Sequence, residues 1–157
     1  MDDIALARAL HVAAVVLWIG GVGFVTTVLL PTTRRRAEVE EGLRLFDVFE
    51  SGFARQARIT TLLAGASGLY MIVRLDLWYR FAQVGFWWMH AMVLVWLLFS
   101  LMLFAAEPCF LQRRIAARAQ TAPAGTFRAI EWLHRLLLAL SLLTILGAVA
   151  GSHGLLY

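Results

Sequence analysis

The chain has 157 residues, of which 61% are hydrophobic, and a mean hydropathy of +0.76, which is too apolar for an ordinary water-soluble domain. All fourteen basic residues are Arg, the net charge is +4, and most of the arginines fall between hydrophobic runs. That placement marks membrane topology rather than a nucleic-acid surface. Crossing about 30 Å of hydrocarbon at about 1.5 Å per residue takes about 20 apolar helical residues, so the length accommodates four spans in one domain. The predicted fold is all-α, an integral membrane four-helix bundle.

The first helix is predicted over 4–30, stopped by Pro31. Its acidic lead, Met1-Asp2-Asp3, lacks the basic start of a cleavable signal, so the segment is read as a retained span. Residues 34–58 are charged but carry Leu43, Leu45, Phe46, Phe49 and Phe53 at roughly helical spacing, which predicts an amphipathic segment lying on the cytoplasmic membrane surface. A second helix follows over 59–74, with Arg74 snorkelling to the headgroups, and then an aromatic interfacial loop, Asp76 to Arg80. The third helix is predicted over 84–106 and the fourth over 130–151, joined by a polar connection from Glu107 to Thr126. Close helix contacts are expected at Gly20, Gly21 and Gly23, at Gly65 and Gly68, and at Gly147 and Gly151; these small faces also suit a homodimer.

Orientation follows from the arginines. Arg34, Arg35, Arg36, Arg44, Arg55 and Arg58 lie between the first two helices, and Arg113, Arg114, Arg118 and Arg128 between the last two, against only Arg8, Arg74 and Arg80 on the other side. The positive-inside rule places both termini on the non-cytoplasmic side of a bacterial-type inner membrane.

Ionisable side chains within membrane spans are costly and mark functional sites. His11 in the first helix and His90 in the third lie at matched depth near the outer face, an arrangement suited to axial ligation of haem b. Ala14, Trp18 and Trp87 would line the slot, and Arg8, Arg74 and Arg80 would meet the propionates. The lone Cys109 allows no covalent haem attachment and no zinc set. Copper is the alternative, with Met71 and Met92 joining His11, His90 and His153 as soft ligands. His134, on the cytoplasmic side, and His153, at a helix end, are the less favoured metal candidates. A histidine that only bonds a neighbouring helix, in a structural membrane subunit, is the third reading.

The run Ala9-Leu10-His11-Val12-Ala13-Ala14-Val15-Val16-Leu17-Trp18-Ile19-Gly20-Gly21 resembles the opening helix of the HemJ-type protoporphyrinogen oxidases and the CopD-like copper-resistance membrane proteins. The likeness continues through Arg58-Ile59-Thr60-Thr61, Trp88-Met89-His90 and Phe127-Arg128-Ala129-Ile130, covering nearly the whole chain. It implies haem b held by intramembrane histidine and carries that role onto His11 and His90. The chain departs from the HemJ pattern at Met92, where that pattern has Lys, at Leu62 for a Pro, and at Glu131 to His134 for Asn-Glu-x-Pro. The expectation is a haem scaffold for electron transfer or oxidoreduction, partnered by the lipid bilayer and by a quinone, a porphyrin or a redox protein.

Overall fold

A computed structural model describes residues 2–36, 39–104 and 122–155, all of them helix and turn with no strand among them. The elements are α1 (Asp2–Phe24), a π-type turn (Val25–Leu29), α2 (Leu30–Arg36), α3 (Val39–Arg74), 3-10 turns at Leu77–Ala82 and Val84–Phe86, α4 (Trp87–Leu101) and α5 (Pro123–Ser152). Three stretches are long and apolar enough to cross a membrane: Asp3–Arg34, Val84–Phe104 and Ala124–Ser152. Cys109, Arg113, Arg114 and Arg118 fall outside the described residues, as do the side chains of Arg35, Arg36, Leu43, Arg44, Leu45 and Phe46.

The expected stop at Pro31 does not occur. The helix runs on to Arg36 because the turn before the proline is widened, with the Leu30 N–H bonding the Val25 carbonyl five residues back. A wider turn gives the pyrrolidine ring room against the preceding carbonyls. Threonine hydroxyls satisfy carbonyls along this stretch: Thr26 bonds Val22 O and Thr27 bonds Gly23 O, both at 2.7 Å, and Thr33 bonds Leu30 O at 3.0 Å. Burying such carbonyls unpaired in an apolar medium is expensive.

A second correction concerns the amphipathic segment. Residues from Val39 to Arg74 form one continuous helix of 36 residues, with no break between the charged segment and the apolar run that follows. No proline interrupts 39–74, and the charged half has adequate helix propensity, so the backbone has no reason to break at Arg58. Two smaller differences concern where the last two helices begin. The third helix begins at Trp87, after 3-10 turns entered through Asp76 in the left-handed region (φ 49°), a conformation aspartate tolerates. The fourth begins at Pro123, seated at its first turn, and therefore starts well before residue 130.

The first two long helices form an antiparallel hairpin. Its register is set by Asp3 against Tyr70 and Arg74, His11 against Ala64, the Leu17 carbonyl against Gln56, and Gly21 against Phe53. Helix α4 packs along α5, and Trp18 meets Phe99 edge-on at 4.9 Å to join the two pairs. One core gathers Ala14, Trp18, Val22, Ala57, Ala64, Val95, Phe99 and Leu137; a second, nearer the start of α5, gathers Val25, Leu29, Leu30, Phe127 and Ile130.

The glycines serve as holes for aromatic rings. A Cβ on Gly65 would lie 2.6 Å from Trp96 and one on Gly147 2.5 Å from Trp87, while Gly21 receives Phe53 and Gly151 receives Trp88. The expected close contacts at these four positions are thus ring against helix backbone. A Cβ on Gly20 would meet no other part of the described residues within 4 Å.

Candidate functional site

His11 lies on the inward stripe of α1 with Ala7, Ala14 and Trp18, all three buried. Its Nδ1 is 2.9 Å from the Ala64 carbonyl and 3.2 Å from the Ser67 Oγ. The Ser67 hydroxyl donates at 2.6 Å to the Leu63 carbonyl, so both groups facing Nδ1 are acceptors. The proton of the neutral ring therefore sits on Nδ1, and Nε2 keeps its lone pair. No described residue bonds Nε2. The ring rests over Gly68, where a Cβ would lie 3.2 Å from Cε1.

His90 stands differently. It shares with Leu94, Leu97 and Leu101 the exposed stripe of α4, whereas Trp88, Met89, Val95 and Phe99 face the core. Its ring meets Phe81 edge-on at 5.3 Å and has no hydrogen bond among the described residues. The Trp18 and Phe99 contact sets the level: seven residues earlier on each helix lie His11 and Met92, with His90 half a turn farther out. One histidine lies on the α1/α3 seam and the other on the outward side of α4. No hydrogen bond or ring contact joins them among the described residues.

The expected lining separates in the same way. Ala14 and Trp18 are in the core beside the His11 stripe, but Trp87 turns to α5 and wedges into the hole at Gly147. Of the outer arginines, Arg74 bonds Asp3 at 3.0 Å, and that contact raises its already high pKa. Arg80 lies over Phe86 at 5.0 Å, and exposed Arg8 has no ion pair among the described residues. Met71 and Met92 are half-buried on different helices. His134 and His153 each direct Nδ1 to the carbonyl four residues earlier, Ile130 and Val149, at 2.9 Å. No group of three or more His, Cys, Asp or Glu close enough to hold a metal ion occurs among the described residues.

Sequence reasoning missed three constellations. Ser67 and the Ala64 carbonyl fix His11, and the small-residue run Gly65-Ala66-Ser67-Gly68 was the available signal. Asp3, Tyr70 and Arg74 tie the start of α1 to the end of α3. Glu131, only 5% exposed, takes Arg34 and Arg135 on its two oxygens; its spacing of four residues from Arg135 was visible beforehand. No protein-family profile, curated protein or solved structure matches the chain.

Proposed function

We propose that the chain is a four-span protein of a bacterial-type inner membrane, with both termini on the non-cytoplasmic side, that binds haem b and works in electron transfer or as an oxidoreductase toward a lipid-soluble partner such as a quinone or a porphyrin. The outward faces of the long helices support the membrane reading, since Leu6, Val16, Leu69, Leu97 and Leu146 are each more than half exposed. The fourth span is the outer half of α3, whose uncharged run from Ile59 to Val73 lies along α1 in antiparallel register. At about 1.5 Å per residue that run covers about 22 Å, and flanking Arg58 and Arg74 reach the remaining distance by snorkelling. The Arg58 Nε bonds the Leu103 carbonyl at 3.2 Å, where α4 ends in a π-type turn.

The observation that carries the haem reading is the state of His11. A ligating imidazole commonly gives its Nδ1–H to a backbone carbonyl, which orients the ring and leaves Nε2 for the metal. His11 shows that arrangement in the apolar interior. His90, whose ring has no hydrogen bond among the described residues, would be the second residue to hold the haem, and exposed Arg8 would meet a propionate. Once bound, haem supplies one-electron chemistry whose potential follows its axial ligands.

The test is haem content and absorption of protein purified from haem-replete cells. The wild type is expected to hold low-spin haem, His11→Ala to lose it, and His90→Ala to turn it high-spin or release it. An unchanged spectrum in His90→Ala would remove His90 from the site. The copper reading has its own support, since His11 and Met92 are half-buried at one level, and it predicts colourless protein that carries copper.

A further inference from the structure

We propose that the inner rim of the bundle holds an anionic phospholipid headgroup, gripped by Arg34 of α2 and by Arg128 and Arg135 of α5. The proposal rests on the membrane reading and is independent of haem.

Glu131 organises the site. Its buried carboxylate gives one oxygen to Arg34 Nη1 at 3.1 Å and the other to Arg135 Nη2 at 2.5 Å. One negative charge between two guanidinium groups leaves a positive charge, and both arginine side chains are about 60% exposed. The carboxylate thus holds two planar donors side by side with N–H groups left for another partner, a geometry suited to phosphate oxygens. Arg128 adds a third cation with no ion pair among the described residues.

The surroundings select a lipid over a free anion. Arg128, Trp132 and Arg135 recur at helical spacing on one outward stripe of α5, and Trp132 is 66% exposed. An exposed indole beside arginines belongs at headgroup depth. The charge-free run of α5 begins directly after Arg135, and Leu136, Leu140 and Leu143 continue the Trp132 stripe as an exposed apolar track. A phosphate at the arginines would therefore place acyl chains along leucines, an environment a soluble anion cannot use. Basic pockets between helices on the cytoplasmic side are a recurring means of holding anionic lipid.

Native mass spectrometry of the full chain, exchanged into detergent with phosphatidylglycerol or phosphatidylcholine, tests the site. Wild type is expected to retain phosphatidylglycerol preferentially, and Arg34→Gln and Arg135→Gln each to lower retention about fivefold, the effect of one arginine near an anionic surface. Arg55→Gln, which removes an exposed arginine elsewhere, is expected to leave retention unchanged. Arg128→Gln, outside the carboxylate bridge, carries the test if either bridge variant fails to fold. Equal retention in every variant would overturn the site. Competition by inorganic phosphate, with no preference between the two lipids, would assign it to a soluble anion and overturn the lipid.

Discussion

His11 is held by acceptors on one nitrogen and left open on the other. Ser67 and Gly68 achieve this from α3, one by accepting at Nδ1 and the other by offering no Cβ where the ring lies. Gly68→Ala would press a methyl group against Cε1, and Ser67→Ala would remove one of two acceptors. Outer-shell changes of this kind typically cost ~10 to 100-fold in metal affinity. Titration of apoprotein with haem is expected to show that loss for Gly68→Ala and a smaller one for Ser67→Ala; undiminished affinity in both would separate the α3 contacts from ligand binding. His11 stands out as a candidate in the sequence because a histidine among Leu10, Val12, Ala13 and Ala14 has no solvent to answer to. Its partners do not, since they depend on the register of α1 on α3, which packing decides.

The elements show where sequence rules stop. Proline predicts a helix end when the preceding turn is α-helical; a π-type turn before Pro31 lets the helix continue, and Thr26, Thr27 and Thr33 are the residues that hinted at it. The charges of 34–58 suggested a surface element, yet the helix of 36 residues is unbroken and about 54 Å long, against about 30 Å of hydrocarbon, so on the proposed four-span reading its charged half would extend beyond the membrane in line with its apolar half. A cysteine at Val48, exposed on that half, is expected to react rapidly with a membrane-impermeant maleimide in inside-out vesicles; protection by lipid would restore the surface-lying arrangement. Gly21, Gly65, Gly147 and Gly151 are contact points as expected and Gly20 is not, and which ring enters which hole needs three dimensions. Gly21→Ala, meeting the Phe53 ring, is expected to destabilise the detergent-solubilised protein by about 1–3 kcal/mol, the usual cost of overpacking, whereas Gly20→Ala, with open space around it, is expected to be near neutral.

At the scale of the whole molecule, composition alone established a helical chain with segments able to cross a membrane, because 61% hydrophobic residues in long runs leave few other folds. The side of α4 that carries His90 was not readable from segment lengths: rotation about a helix axis follows from Trp87 and Trp88 entering the holes at Gly147 and Gly151. On the proposed topology both termini lie outside, so a C-terminal alkaline phosphatase fusion is expected to be active and a C-terminal green fluorescent protein fusion dark. The reverse pattern would invert the topology and move His11 to the cytoplasmic leaflet. The most direct test of the central claim is the reduced-minus-oxidised absorption spectrum of the haem-replete wild type beside that of His11→Ala. A sharp α-band in the wild type that vanishes in the variant is the predicted result; an α-band of equal size in both, or none in either, would contradict a haem held by His11.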